Sequence, residues 1–513
     1  MSSYVITGAS RGIGLEFVRQ LSTNSENKVF ALVRNKATAT KLKSLARNNI
    51  TILEADVTDG KALQLAAAEV SKATDNKLDY LINNAGSSTD PGLTLDQFPS
   101  PEAVEKDLVE NFKSNAVSVV HSTNAFLPLL KNGSAKRVLT LGSGLGDLDL
   151  TLTWGVTSRA GYSIAKAALN LVVAKYAAQY KAEGFVFLCI SPGVVDTSAD
   201  ATSEPSAGTV AENTSLFKAT AIPPNFKGPI TPEESVRLQL EVFNRWTVEE
   251  TGAFVSQHGN KQWLEFVRQL SANSENKVFA LVRNKATAIK LKDLARNNIT
   301  ILEADVTDGK ALQFAAAEVS KATDNKLDYL INNAGSSTDP GLTLDQFPSP
   351  EAVEKDLVEN FKSNAVSVVH STNAFLPLLK NGSTKRVLTL GSGLGDLDLT
   401  LTWGTTSRPS YSIAKAALNL VVAKYAAQYK AEGFVFLCIS PGVVDTSADA
   451  TSEPSAGTVA ENTSLFKAIA TIPNFKGPIT PEESVRLQLE LLNRWTVEET
   501  GAFVSQHGNK EWI

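Results

Sequence analysis

At 513 residues the chain is too long for one ordinary compact domain and calls for two or more units of roughly 150 to 250 residues. A content of 43% hydrophobic and 20% charged residues suits globular cores, and a net charge of -5 excludes the basic footprint that nucleic acid or anionic lipid would need. No run approaches the roughly 20 apolar residues of a membrane span, and "MSSYVITGAS" leads directly into a strand pattern, so a soluble, cytoplasmic protein with small-molecule partners is expected.

Taken in chain order, β-rich apolar runs fall at 4–7, 28–33, 50–53, 78–83, 137–142, 185–191 and 253–256. Helical stretches such as "GKALQLAAAEVSKA" and "YSIAKAALNLVVAKYAAQYKAEG" separate them. Strands apolar on both faces and alternating with helices predict an α/β fold, a doubly wound parallel sheet of the Rossmann type. Cys189 and Cys438 sit in equivalent "VFLCISP" runs and read as buried reduced thiols. The four histidines, at 121, 258, 370 and 507, have no ligand-like spacing, and no metal is expected.

The strongest internal signal is a repeat. Residues 15–263 match 264–512 without a gap and differ at 14 positions. Two tandem copies are therefore expected, a complete unit at 1–263 and a second at 264–513. The second has no counterpart of "MSSYVITGASRGIG", and no linker joins the two; "FVSQHGNKQW" runs straight into Leu264. Such a junction suits a recent tandem duplication or two neighbouring genes read as one.

Between the first strand and first helix stand Thr7, Gly8, Ala9, Ser10, Arg11, Gly12, Ile13 and Gly14. Glycines there allow a tight turn and let bare backbone approach a pyrophosphate lying on the helix N-terminus. The next strand ends at Val33-Arg34-Asn35 with no carboxylate. Arg34 and Arg11 together favour the 2'-phosphate of NADP(H) over NAD.

Tyr162 and Lys166, in "YSIAK", share one helix face. A neighbouring ammonium lowers a phenol's pKa and makes it a usable general acid or base. With "TGASRGIG", "NNAG" at 83–86, a serine after the fifth strand, "YSIAK" and "PGVVDT" at 192–197, the first copy resembles the short-chain dehydrogenase/reductase family. Its branch is similar to C-factor-like proteins and norsolorinic acid ketoreductases.

The resemblance implies that Tyr162 protonates a carbonyl oxygen, that Lys166 holds the nicotinamide ribose, that Ser143 polarises the carbonyl, and that Asn115 positions a relay water. It also implies that Asp56 touches the adenine, that Asn83, Ala85 and Gly86 line the cofactor cleft, and that Pro192, Gly193 and Thr197 border the nicotinamide. Ser143 and Tyr162 stand 18 residues apart in between, more than is usual in the family. Ser158 is the weaker alternative for the serine. The insertion is expected to form part of a substrate rim with Trp154 as a wall, or to pack on the surface. Residues 198–230 occupy the position of a substrate lid.

The second copy keeps Asn364, Ser392, Tyr411 and Lys415 but has Gln257, Lys261 and Trp263 where the first has Gly8, Gly12 and Gly14. It is expected to lack a central strand and to be inactive. "AFVS" at 253–256 falls in register with "YVIT" but is expected to stay with the first copy. NADPH-dependent reduction of a ketone or aldehyde on a small molecule is the leading reading; a non-catalytic NADP(H)-binding regulatory or scaffold protein is the alternative. Assembly as a homo-oligomer, or as an intrachain pseudo-dimer through "VEKDLVENFKSNAVSVVHSTNAFL" and "YSIAKAALNLVVAKYAAQY", is the third possibility.

Overall fold

The computed structural model describes residues 2–87, 93–193, 195, 230–245, 262–336, 342–442 and 479–510. In the first repeat the strands are β1 (Ser3–Thr7), β2 (Lys28–Val33), β3 (Ile50–Glu54), β4 (Tyr80–Asn83), β5 (Arg137–Leu141) and β6 (Val186–Ile190). They form one parallel sheet in the order β3-β2-β1-β4-β5-β6. β1 is central. Its residues Ser3–Thr7 pair with Lys28–Leu32 on one side, and Tyr4–Ile6 pair with Tyr80–Ile82 on the other.

Helices cover both faces, which is why these strands carry no alternation of apolar and polar residues. They are α1 (Gly12–Leu21), α2 (Thr40–Lys43), α3 (Gly60–Thr74), α4 (Pro101–Phe112), α5 (Ser118–Asn132), α6 (Leu148–Trp154), α7 (Ala160–Tyr180) and α8 (Pro232–Arg245). Asp59 caps α3 by accepting from the Lys61 and Ala62 amides, and Ser100 caps α4 ahead of Pro101. The fourth strand starts later than the apolar run suggests because the Leu78 amide donates to the Leu129 carbonyl at 3.0 Å and so belongs to the end of α5. Residues 253–256 lie outside the described residues.

The second repeat begins at α9 (Gln262–Leu270) and continues through β7 (Val278–Val282), α10 (Ile289–Lys292), β8 (Ile299–Glu303), α11 (Gly309–Thr323) and β9 (Tyr329–Asn332). It then runs through α12 (Pro350–Phe361), α13 (Ser367–Asn381), β10 (Arg386–Leu390), α14 (Leu397–Trp403), α15 (Pro409–Tyr429), β11 (Val435–Ser440), α16 (Pro481–Arg494) and β12 (Phe503–Ser505). Among the described residues its sheet is in two pieces: β7 pairs with β8, while β9 begins a separate set in the order β12-β11-β10-β9. The break falls where β1 stands in the first repeat.

Side chains along the break lose cover. Val29, Phe30, Leu32, Leu81 and Ile82 are at most 2% exposed. Their counterparts Val278, Phe279, Leu281, Leu330 and Ile331 are all partly exposed.

The repeats pack face to face. α7 lies on α15, α6 on α15, and α14 on α7. The Phe112 and Phe361 rings stack with centroids 4.2 Å apart. Lys175 Nζ donates to the Thr405 and Ser407 carbonyls at 3.0 and 3.3 Å, and Lys424 Nζ to those of Val156 and Ser158 at 2.8 and 3.4 Å. The Tyr180 hydroxyl donates to Asp345 and the Tyr429 hydroxyl to Asp96. Each of these contacts recurs with the partners exchanged, the signature of an isologous interface. A single hydrophobic core runs through it and takes residues from both repeats, with Ile164 and Leu169 from α7 beside Ile413 and Leu418 from α15. This explains why α7 has almost no polar face.

Candidate active site

At the carboxyl end of β1 the chain turns through Gly8 and Gly12, both at positive φ, +66° and +56°. Close approach requires the glycines as much as the turn does. A Cβ on Gly8 would stand 2.9 Å from the Ala85 Cα, and one on Gly14 would stand 2.2 Å from the Gly8 carbonyl oxygen. α1 starts behind Arg11 with no side-chain cap, so the positive end of its dipole faces the turn. Ser10 lies within the turn and Ile13 in the first turn of the helix; the Arg11 and Arg34 side chains are exposed on the same edge.

The turn is held by the end of β4. Thr7 Oγ accepts from the Asn84 and Ala85 amides, both at 3.0 Å, and Asn84 Nδ2 donates to the carbonyls of Thr7 at 2.8 Å and Gly8 at 3.2 Å. Asn84 is therefore the residue that buttresses the glycine turn, a role invisible in the spacing because its partners lie 76 and 77 positions away. Asn83, 3% exposed, accepts from Ser122 Oγ at 2.6 Å and fixes the strand end to α5. Asp56 accepts from the Thr58 amide and hydroxyl, at 2.9 and 2.7 Å, and so shapes the turn after β3 with one of its oxygens.

Asn115 sits in a π-helical turn, Lys113–Val117, inserted between α4 and α5. Such a turn displaces one residue from the regular helical ladder and is often used to aim a side chain. Asn115 Nδ2 donates to the Ser87 and Asn111 carbonyls at 2.6 and 3.0 Å. Its Oδ1 is buried with no hydrogen-bond partner among the described residues. A Cβ on Gly86 would meet that Oδ1 at 2.8 Å and Lys166 Nζ at 3.7 Å, so both groups face the same small space.

Lys166, 5% exposed, donates from Nζ to the Leu141 carbonyl at 2.7 Å, and its ammonium stands 5.6 Å from the Tyr162 ring centre. Ser143 follows β5 directly and its Oγ accepts from the Leu145 amide at 3.2 Å. Pro192 and Gly193 follow β6; the Pro192 carbonyl accepts from Ser235 of α8 at 2.8 Å, and Gly193 has φ +81°. Thr197 and residues 198–229 lie outside the described residues. Thr7, Gly8, Asn83, Gly86, Ser143 and Pro192 thus all occupy the carboxyl edge of one sheet, where open α/β sheets hold their ligands.

The stretch between Ser143 and Tyr162 does something its sequence does not disclose. It folds as a short helical turn and α6, and packs on α15 of the other repeat. The carbonyls of Val156 and Ser158 are the ones that receive Lys424. Ser158 is thus engaged at the interface, and Trp154 is half-buried at the end of α6.

The second repeat reproduces the inner part of this arrangement. Asn364 Nδ2 donates to the Ser336 and Asn360 carbonyls at 2.6 and 2.9 Å, its Oδ1 is likewise unpaired, and Lys415 Nζ donates to the Leu390 carbonyl at 2.8 Å. Burial pushes the Lys415 ammonium down to about 8. Tyr411, only 8% exposed, is raised by burial, opposed by a hydrogen bond with Ser392.

A doubly wound sheet with a glycine turn after its first strand and a Tyr-Lys pair at its carboxyl edge defines a dinucleotide-binding protein of the dehydrogenase type. The model of the short chain dehydrogenase family matches residues 3–207 and again 264–456, and the chain belongs to that family. A short-chain dehydrogenase/reductase of Arthrinium sp. is 43% identical over 271 residues, which is 52% of this chain and all of that protein. A short chain dehydrogenase of Hypocrea virens is also 43% identical, over 276 residues, with the same shares covered.

Among solved structures, the N-domain of a bacterial malonyl-CoA reductase with NADP covers 98% of this chain and 97% of its own at a TM-score of 0.65 and 14% identity. That likeness shows the fold over both repeats. NADPH-bound carbonyl reductase from chicken fatty liver is 28% identical over 50% of this chain and 96% of its own, with a TM-score of 0.40. No helix among the described residues is long and apolar enough to cross a membrane, and no cluster of metal-ligating side chains occurs among them.

Proposed function

We propose that the first repeat is an NADP(H)-dependent reductase of a ketone or aldehyde on a small molecule, reversible as an alcohol oxidation, and that the second repeat is catalytically silent. One observation carries the reading: the unpaired Asn115 Oδ1 and the Lys166 ammonium converge on Gly86, beside Tyr162 and at the same sheet edge as a glycine turn too tight for any side chain. A buried acceptor without a protein partner fits an ordered water, and the uncapped α1 fits a pyrophosphate. The residues therefore suit a dinucleotide. Gly8, Ser10, Gly12 and Ile13 would hold the diphosphate, Arg11 and Arg34 the 2'-phosphate, and Asp56, Asn83, Ala85, Pro192, Gly193 and Thr197 the rest of the molecule.

When bound, NADPH supplies the hydride. Tyr162 delivers a proton to the carbonyl oxygen, with the Lys166 ammonium 5.6 Å from its ring centre. Ser143 orients the carbonyl by hydrogen bonding. Asn115 holds the water that links Lys166 to solvent and so returns the proton to Tyr162. The short-chain dehydrogenases that match about half of this chain over their own full length support an oxidoreductase.

The second repeat keeps the proton-handling groups and has Trp263 at the position of Gly14. With no cofactor turn it acts as an intrachain partner, making the chain a pseudo-dimer through α7 and α15. The test is Tyr162→Phe, followed by NADPH oxidation with a panel of small ketones and aldehydes. Turnover is expected to fall by about 10²- to 10⁴-fold with NADPH affinity retained, whereas Tyr411→Phe leaves turnover unchanged. Equal turnover in wild type and Tyr162→Phe would refute the mechanism.

A further inference from the structure

The interruption in the second sheet has a definite shape. Among the described residues no strand lies between β7 and β9, yet both edges stay attached as their counterparts in the first repeat are. Lys277 Nζ donates to the Ala322 carbonyl at 2.9 Å, as Lys28 does to Ala73 at 2.7 Å. The Leu327 amide donates to the Leu378 carbonyl at 3.0 Å, as Leu78 does to Leu129. Above the gap, Gln269 of α9 donates to the Glu482 carbonyl at 3.0 Å, matching Gln20 and Glu233 at 3.0 Å.

The first repeat shows what such a gap receives. Val5 packs with Phe30, Leu32 and Leu81 on one face, and Ile6 packs with Phe17, Ala31 and Ile82 on the other. The Tyr4 ring stacks on Tyr80 with centroids 4.5 Å apart. The counterparts of these lining residues are unchanged, and Tyr329, the counterpart of Tyr80, is 38% exposed. Where the first repeat has one cluster around Ile6, the second has two: Phe266 belongs with β10 and β11, and Val267 belongs with Ala280 of β7. α9 thus contributes one buried apolar side chain to each piece.

We propose that the gap between β7 and β9 is a binding site for a polypeptide strand supplied in trans. The ligand is an extended segment of about five residues, parallel to both edges, with apolar side chains directed to both faces, of the type Ser3–Thr7. The edges of β7 and β9 that pair with no strand among the described residues supply the hydrogen bonds, and the partly exposed apolar side chains supply the burial. The segment ends at the sheet edge. A side chain at the Gly14 position stands 2.2 Å from the carbonyl that a following Gly8 would place there, and Trp263 holds that position. Strand binding therefore leaves the second repeat without a cofactor site, and the proposal stands apart from the reading of the first repeat's chemistry.

The test uses the full chain and a C-terminally amidated peptide of residues 1–7, MSSYVIT, at millimolar concentration, with hydrogen exchange read by mass spectrometry. Amides of residues 277–281 and 329–331 are expected to exchange at least about tenfold more slowly with peptide, and the Val5→Pro peptide is expected to give no protection because it lacks a ladder amide. NADPH stoichiometry stays unchanged. Absence of protection by the parent peptide would overturn the proposal. So would strong protection of both edges before peptide is added, which would mean that another part of the chain, such as residues 253–256, already fills the gap.

Discussion

The two repeats hold the same asparagine, serine, tyrosine and lysine in nearly the same local bonds, and differ most in what stands between their second and fourth strands. In the first, β1 joins two half-sheets into one, and the turn that follows it is pinned to Thr7 and Asn84. In the second, no strand among the described residues joins the half-sheets, and Phe279, Leu281 and Leu330 are partly exposed. With no central strand among the described residues, the other helices and strands of the second repeat still form, because the flanking helices bury much of the apolar surface. What is lost is the one element that both completes the sheet and carries the phosphate turn.

The most drastic way to break the comparison is to give the first repeat the second's turn. Gly14→Trp places an indole where even a Cβ is 2.2 Å from the Gly8 oxygen. We predict complete loss of NADPH binding by calorimetry, with the circular dichroism spectrum of the folded chain retained; binding of wild-type strength in the variant would mean that the turn does not hold the cofactor.

A smaller effect tests whether the second repeat supports the first. Phe361→Ala removes a ring that is 1% exposed and stacked on Phe112, and large-to-small changes of this kind cost about 3 to 5 kcal/mol. Urea unfolding should shift to a markedly lower midpoint and lower the activity of the first repeat with it. A midpoint within error of wild type would show that the repeats do not depend on this contact.

The mildest test is pH. Burial raises Asp96 and Asp345, but hydrogen bonds from Tyr429 and Gln428, and from Tyr180 and Gln179, outweigh it and hold both below the usual 3.8. Groups lowered in the folded state stabilise it above their unfolded value, and that contribution is lost as pH falls through the folded value. His121 and His370 are lowered from 6.5 by burial. Below pH 6.5 the unfolded chain takes up those protons first, so their effect has the same sign. Stability should decline as pH falls from 7 toward 4 and steepen below it, and the decline below 4 should flatten in a chain carrying both Asp96→Asn and Asp345→Asn. An unchanged acid limb in that variant would remove the two carboxylates from the account.

Much of this was legible in the residues. Strands with apolar side chains on both faces announced a parallel sheet, and the six expected first-repeat strands that fall on described residues formed where their apolar runs lie. The gapless repeat showed which segment the second copy lacks, and the sheet is broken at that place. Other features depend on distant partners. Asn84 buttresses Thr7 and Gly8 across 76 and 77 residues. Lys175 and Lys424 read as polar breaks in an apolar helix until each is seen donating to carbonyls of the opposite repeat. The insertion before Tyr162 alternates polar and apolar residues from Asp147 to Trp154, a strand-like pattern, yet folds as α6, and nothing in it names α15 as its partner.

The central claim is that one repeat binds cofactor and the other does not, and the most direct measurement is calorimetric titration of the full chain with NADPH. A stoichiometry of about one per chain is predicted. A stoichiometry of about two would mean that the second repeat binds NADPH without β1 or its glycine turn, and would contradict the account.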